Sequence, residues 1–196
     1  MNLDTTKKTL GHFLKKAVPN YDFLSMKDTL NKICAFIAED KYNLCLYGHT
    51  GSGKTTTLKA LHETFQHING RLYKNPLSVT DLARRYAESG FAGIDMLSGE
   101  IIIDPANKAV LKRYELFIDD VGSEMSKITN YGNTIDVSEY AILERYNNFK
   151  NGTFTMLTTN LDETSFNQYF GDTVLSRMRE QYKFVKFPDV DFRKRS

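Results

Sequence analysis

A phosphate-binding pattern, G-x-x-x-x-G-K-[ST], is matched by eight consecutive residues: Gly48, His49, Thr50, Gly51, Ser52, Gly53, Lys54 and Thr55. Glycines let the backbone bend so that successive N–H groups point at one anion. Lys54 can reach the β- and γ-phosphates of a nucleotide, and the Thr55 hydroxyl is a suitable ligand for Mg²⁺. The pattern predicts that this loop, together with Thr56, binds a nucleotide. The alternative is a glycine-rich turn beside a surface lysine.

The sequence around this loop has the periodicity that such a site needs. Residues 44–47 are a short apolar run, as in a buried strand. After the loop, apolar residues recur at the spacing of an amphipathic helix, at Leu58, Leu61, Phe65 and Ile68. The N-terminus of that helix adds a positive end to the phosphate site.

A nucleotide site also needs an acid for the metal ion, at the end of another buried strand. Residues 116–118 are apolar and are followed by Asp119 and Asp120, which is the Walker B pattern. Asp119 is expected to hold Mg²⁺, and Asp120 to orient or activate the attacking water. Taken alone, the same residues also fit a strand that ends in a polar turn.

A third apolar run, residues 154–157, leads through two threonines to Asn160. If this strand lies beside the Asp119 strand, the Asn160 amide is placed to position a water between carboxylate and phosphate. A lone asparagine after a strand also fits an ordinary turn.

Length and composition limit the possible classes of protein. The 196 residues suffice for one domain with a sizeable core, and the formal net charge is +2. Residues 176–196 carry seven basic and three acidic side chains, which suits phosphates, a partner chain or solubility alone. Cys34 and Cys45 lie in apolar patterns, so free thiols in a reducing compartment are expected. We find no zinc-type histidine spacing, signal peptide or membrane-spanning run, and expect a soluble cytoplasmic protein.

Strands alternate with helices along the chain, which predicts an α/β fold with a mostly parallel sheet and helices on both faces. Residues 1–20 form either a short amphipathic helix or a basic arm that ends at Pro19. Ser25 is expected to cap the next helix. Further helices are predicted at 79–89, 106–113, 142–149 and 163–181, and further strands at 71–73, 101–103 and 184–187. Residues 122–137 are a long polar connection, either mobile or in contact with nucleic acid or a partner.

In order and spacing, these segments resemble the AAA+ ATPases of the DnaC and IstB type, which include helicase loaders and transposition helper proteins. The resemblance covers roughly residues 40–195. Beyond the phosphate loop it rests on Phe-Ile-Asp-Asp-Val-Gly-Ser-Glu at 117–124, Leu-Glu-Arg-Tyr at 143–146, Thr-Thr-Asn-Leu at 158–161, Ser-Arg-Met at 176–178 and Asp-Phe-Arg at 191–193.

The resemblance implies a three-layer, five-stranded domain over residues 41–196 with little or no C-terminal lid. Residues 1–40 are then a basic arm and a helix packed on this core. It also implies ATP and Mg²⁺ as ligands, and head-to-tail self-association with the site at the subunit boundary. Asn160 matches the sensor-1 position, Arg177 the arginine finger and Arg193 a late sensor arginine. Both arginines also fit ordinary surface positions, and the resemblance gives Arg179 and Glu124 no firm role.

Two departures from the family pattern bear on function. Many AAA+ proteins have Asp-Glu at the end of the Walker B strand, whereas this chain has Asp119-Asp120, so hydrolysis is expected to be slow. Only about forty residues precede the first strand, where relatives commonly carry a partner-binding domain.

Three functions remain open from the sequence. The first is an ATP-dependent DNA-transaction factor in replication or transposition, acting with single-stranded DNA, a replicative helicase or a transposase. The second is a nucleotide-gated binding module with little hydrolysis. The third is a small P-loop kinase, against which stands the lack of an arginine-rich lid in the middle of the chain.

Overall fold

Five parallel strands form the central sheet of the computed structural model, which describes residues 2–39, 43–70, 73–103, 109–112, 115–149 and 153–195. The sheet strands are β1 (Asn43–Tyr47), β2 (Leu77–Ser78), β5 (Leu116–Val121), β8 (Thr155–Thr159) and β9 (Tyr182–Lys186). Their spatial order is β2-β5-β8-β1-β9, and every pairing is parallel. The predicted α/β fold is therefore confirmed, and the loops that follow these strands meet at one edge of the sheet.

Seven α-helices and two hairpins complete the described chain. The helices are α1 (Leu3–Ala17), α2 (Phe23–Glu39), α3 (Lys54–Asn69), α4 (Val79–Ser89), α5 (Val137–Phe149), α6 (Glu163–Phe170) and α7 (Asp172–Gln181). The hairpins pair β3 (Glu100–Ile103) with β4 (Ala109–Lys112), and β6 (Lys127–Asn130) with β7 (Asn133–Asp136). Short 3₁₀ turns cover Gly90–Leu97, Glu124–Ser126 and Phe192–Arg195.

Two apolar cores lie on opposite faces of the sheet, because side chains alternate along each strand. From β1, Leu44 and Leu46 face the core that α1, α2 and α3 cover. Cys45 faces the other core, which α4 to α7 cover. Both faces are buried, as expected for the inner strands of a parallel sheet.

The N-terminal residues form a helix, which settles the choice between helix and arm. Asn2 caps α1 by accepting from the N–H groups of Asp4 and Thr5 at 2.9 and 3.2 Å, and the helix ends before Pro19. The prediction that Ser25 caps the next helix is wrong. That helix starts at Phe23, and the Asp22 carboxylate accepts from the Ser25 N–H at 3.0 Å, so aspartate has taken the capping role.

Three local predictions are corrected. The edge strand beside β5 is Leu77–Ser78 rather than 71–73; residues 71 and 72 lie outside the described residues, and Tyr73 packs among Phe65, Phe117 and Phe154. Within the predicted helix 106–113, residues 109–112 form β4, since pairing with β3 outweighs local helix propensity. Residues 106–108 and 113 of that helix are outside the described set. The helix predicted over 163–181 is broken at Gly171, where φ is +81°.

The polar connection after β5 is ordered as a hairpin. Its two-residue turn has positive φ at both Tyr131 (+45°) and Gly132 (+83°), as in a type I′ turn. Asn130 donates to the Ala87 carbonyl at 2.8 Å, which ties the hairpin to α4. The Tyr131 ring at the tip is 97% exposed.

Arg145 is buried in the second core, with 1% of its surface exposed. Its guanidinium donates to Thr155 Oγ1 at 2.8 Å and to the carbonyls of Leu97 and Phe154 at 3.1 and 3.3 Å. Burial lowers its pKa. This residue belongs to the motif series that carries the family resemblance, and its contacts give it a structural role that joins α5, β8 and the 3₁₀ turn.

No described helix is long and apolar enough to cross a bilayer.

Replacing Arg145 by methionine should destabilise the protein strongly, because the three hydrogen bonds that join α5 to β8 and the 3₁₀ turn are lost. We expect the free energy of unfolding to fall by about 3 kcal/mol in urea denaturation. The matched control is Arg179→Met on the exposed face of α7, which should change stability by less than about 0.5 kcal/mol. Equal effects of the two substitutions would contradict a structural role for Arg145.

Candidate nucleotide-binding site

The loop between β1 and α3 requires its glycines for two reasons. Gly48, Gly51 and Gly53 all have positive φ, at +142°, +84° and +92°. A Cβ on Gly51 would lie 2.1 Å from Asp191 Oδ1. The Phe192 N–H donates to the Gly51 carbonyl at 3.0 Å. The C-terminal segment thus holds the loop closely, and side chains at these glycines would clash or be strained.

Lys54 lies in the first turn of α3 and folds back over the loop. Its Nζ donates to the carbonyls of Gly48 and His49 at 2.7 and 2.8 Å. Burial lowers the pKa of Lys54, while Asp120 and Asp119 oppose that shift. A buried ammonium at the N-terminus of a helix provides a positive centre for an anion.

Asp119, on β5, accepts hydrogen bonds from two threonine hydroxyls. Thr55 Oγ1 at the start of α3 donates at 3.0 Å, and Thr158 Oγ1 on β8 donates at 2.5 Å. The strand order places β5 and β8 side by side, so three elements meet at one carboxylate. Thr55 and Asp119 are therefore brought together as predicted.

Asp120 sits in an unusual conformation next to this carboxylate. Its φ is +64°, and the β5–β8 register shifts between Ile118 and Val121. The Asp120 N–H donates to Thr158 Oγ1 at 2.9 Å, and Asn160 Nδ2 donates to Asp120 Oδ1 at 2.8 Å. Partial burial, and secondarily the Asp119 charge, raise the pKa of Asp120. This is the environment of a carboxylate suited to accept a proton.

These groups share one pocket of about 370 Å³. It is lined by Val18, Thr50, Gly51, Gly53, Lys54, Thr55, Thr56, Asp119, Asp120, Thr158, Asn160, Phe192 and Arg193. The phosphate loop, the Walker B acids, Asn160 and Arg193 are thus assembled in one place.

A second pocket of about 390 Å³ adjoins the first and shares Val18, Gly53, Thr56 and Phe192 with it. Its remaining lining is Pro19, Asn20, Tyr21 and Asp22, from the link between α1 and α2. Sequence reasoning missed this segment because it lies thirty residues before the loop and matches no motif. Its only signal was an apolar and aromatic content unusual for a short connection. Thr158 was likewise passed over as part of a strand end.

The other candidate residues lie elsewhere. Arg177 does not line this pocket; its guanidinium carbon stands 5.5 Å from the Tyr146 ring centroid. Arg179 pairs with Glu163 on the surface. The His49 ring is exposed, with Nε2 at 3.6 Å from Asp189 Oδ1, and its backbone carbonyl accepts from Lys54. Glu124 is exposed at the start of a 3₁₀ turn.

The donor set fits Mg²⁺ shared with a ligand. Thr55 and Asp119 supply hard oxygen atoms within hydrogen-bond distance of each other. Among the described residues, no cluster of three or more His, Cys, Asp or Glu side chains could hold a metal ion without other ligands. Mg²⁺ is commonly bound by one or two protein oxygens together with substrate phosphates and water.

Three solved structures share this architecture. The DnaC helicase loader matches with a TM-score of 0.59 at 21% identity, over 88% of this chain and 96% of the loader chain. DnaI matches at 0.59 and 17% identity, over 91% and 94%. Domain III of the replication initiation protein DnaA from Thermotoga maritima matches at 0.60 and 16%, over 96% and 68%. No family model and no curated protein matches the sequence.

The fold and the loop together define the class: the chain has the AAA+ P-loop fold. This fold is shared with the DnaC helicase loader, with DnaI and with domain III of DnaA. The resemblance drawn from the sequence is confirmed at this level.

Replacing Asp120 by asparagine should stabilise the protein at neutral pH. The raised pKa means that the folded state holds this proton to higher pH than the unfolded chain, so ionisation of Asp120 opposes folding. We expect a gain of about 0.5 kcal/mol near pH 7, limited by solvent screening. The gain should disappear as pH falls through the native pKa toward the ordinary value of 3.8.

The measurement is urea denaturation of both proteins across this pH range, with the exposed Asp95→Asn variant as the control. A loss of stability in Asp120→Asn, or a gain that persists at low pH, would contradict a raised pKa of Asp120 in the folded state.

Proposed function

We propose that the protein is a Mg²⁺-dependent ATPase that uses ATP to control assembly in DNA replication or transposition. The observation that carries the proposal is the convergence of Lys54, Thr55, Asp119, Asp120 and Asn160 on one pocket. Each supplies a function that nucleotide hydrolysis needs: charge for the phosphates, oxygens for the metal ion, a base and a polar group for water.

The two adjoining pockets suit the two parts of a nucleotide. The loop amides and Lys54 would bind the phosphates, and Thr55 and Asp119 would hold Mg²⁺, which neutralises phosphate charge when bound. The second pocket would bind the nucleobase between Val18, Tyr21 and Phe192, which offer apolar and aromatic surface.

Asp120 is the proposed general base. Its raised pKa favours acceptance of a proton from the water that attacks the γ-phosphate. Asn160 holds one carboxylate oxygen at 2.8 Å and leaves the other for that water. Because aspartate is one methylene shorter than the glutamate common in this class, the base stands further from the phosphate and turnover should be slow.

We propose that several copies assemble, and that each copy supplies an arginine to the site of its neighbour. Arg193 lines the chain's own pocket, whereas Arg177 does not. A head-to-tail oligomer would bring Arg177 of one copy to the γ-phosphate held by the next. Single-stranded DNA, a replicative helicase or a transposase are the proposed partners; the fold shared with the DnaC helicase loader and DnaA supports this choice.

A second candidate, a nucleotide-gated module with little hydrolysis, is favoured by one observation. Asp120 is held at φ +64° and hydrogen bonded to Asn160, a geometry that restrains the base. Single-turnover hydrolysis with excess protein, with and without single-stranded DNA, separates the two. A fast burst in either condition supports the ATPase, and binding without turnover supports the module.

Lys54→Ala should weaken ATP binding by about 100-fold, since two or more charge-assisted contacts to phosphate are lost. Calorimetric titration with Mg²⁺-ATP measures this directly. Lys59→Ala, an exposed lysine further along α3, is the matched control and should bind ATP normally. Unchanged affinity in Lys54→Ala would refute the nucleotide assignment.

Arg177→Ala should keep ATP affinity and lose assembly-dependent hydrolysis, by about 10³-fold. Mixing it with Lys54→Ala should restore part of the rate, because the first variant supplies an intact pocket and the second an intact arginine. Steady-state phosphate release from each protein and from the mixture tests this. Arg179→Ala is the control and should hydrolyse ATP at the wild-type rate. Failure of the mixture to recover activity would count against a shared site.

A further inference from the structure

A groove of about 360 Å³ runs between α1 and α2, separate from both nucleotide pockets. Its floor includes Leu10, Leu30 and Cys34, and its rim carries Leu24, Lys7 and Lys27. Leu24 is 88% exposed, whereas Met26, Ile33 and Ile37 of the same helix are buried. An exposed leucine beside an apolar groove is a common feature of protein-binding surfaces.

A glycine in the middle of α1 opens this groove. Gly11 lines it, and a Cβ added there would meet only Phe23 Cε1, at an ordinary 3.9 Å. Its backbone is helical, so neither conformation nor packing inside the chain requires glycine. Glycine inside a helix costs about 1 kcal/mol relative to alanine. Helix stability is thus given up at a position that lines the groove.

The positive charge at the rim of the groove indicates what kind of partner it binds. Lys7 and Lys27 are the charged residues of the lining, and no carboxylate lines the groove within the described chain. Neither ammonium forms an ion pair with another described residue. An apolar channel between two positive side chains complements an apolar stripe flanked by carboxylates.

We propose that this groove binds an amphipathic α-helix of a protein partner, with leucine-like anchors flanked by Asp or Glu. A groove between two helices accepts a third helix through ridge-into-groove packing. Leu24 packs on the partner's apolar stripe, and Lys7 and Lys27 pair with its acids. The inference does not depend on nucleotide binding.

The test uses a fluorescein-labelled helical peptide with leucines at i, i+3, i+4 and i+7 flanked by glutamates, and a matched peptide with lysine for each glutamate. Fluorescence anisotropy should show binding of the acidic peptide and at least about tenfold weaker binding of the basic one. Lys54→Ala should bind the acidic peptide like the wild type, so failure of the nucleotide assignment leaves this result intact.

Three variants locate the binding site. Leu24→Ser, on an exposed side chain, should weaken peptide binding about tenfold without loss of stability. Gly11→Leu should abolish binding while the midpoint of thermal unfolding stays equal or rises, a result that misfolding cannot produce. Lys7→Glu/Lys27→Glu should reverse the preference between the two peptides, whereas Lys32→Glu, exposed on α2 outside the lining, should not.

Other outcomes overturn the proposal. No binding of the acidic peptide, equal binding of both peptides, or full binding by Leu24→Ser and Gly11→Leu would each do so. Sedimentation that shows self-association lost in Leu24→Ser would assign the groove to a second copy of this chain instead.

Discussion

The Asp119 carboxylate is the contact on which the arrangement of the site depends. It accepts from Thr55 at the start of α3 and from Thr158 on β8, while its own backbone belongs to β5. Three segments far apart in sequence are thereby fixed to one another at the edge of the sheet. These hydrogen bonds restrain the start of α3 relative to the ends of β5 and β8. A metal ion bound here would replace the hydrogen bond between Thr55 and Asp119, because both oxygen atoms would then bind the ion. The groups that hold the fold together at this point are therefore also those that would bind the ligand.

Two adjacent aspartates acquire different properties from this geometry. Asp119 continues the strand, whereas Asp120 turns into the left-handed region where the β5–β8 register shifts. Two hydrogen bonds keep Asp120 in this strained conformation: its N–H donates to Thr158 Oγ1, and its carboxylate accepts from Asn160. A residue kept in a costly conformation by its neighbours is typical of functional sites. If Asp120 is the base, as proposed, the shorter side chain of aspartate reduces its reach compared with glutamate.

What the sequence could predict follows the range of the interactions involved. The phosphate loop, the acids of β5 and the alternation of strands and helices are local patterns in the sequence, and the predicted α/β fold is confirmed. Errors arose where tertiary contacts outweighed local signals. Residues 109–112 formed a strand by pairing with β3, and Gly171 divided a helix that periodicity alone had joined. The segment from Val18 to Asp22 and the burial of Arg145 depend on contacts with distant elements, and no short motif encodes them.

The reactivity of the two cysteines reports local unfolding in two different parts of the molecule. Both thiols are buried, and burial raises their pKa, for Cys34 to about 11, so neither reacts readily with alkylating reagents in the native state. Cys34 lies on the floor of the groove between α1 and α2, whereas Cys45 lies on β1, an inner strand, beneath the helices α4 to α7. Alkylation of Cys34 therefore requires only a local opening between α1 and α2, whereas alkylation of Cys45 requires the helices over the other face of the sheet to move away. The ratio of the two rates measures how independently the N-terminal helices unfold from the core.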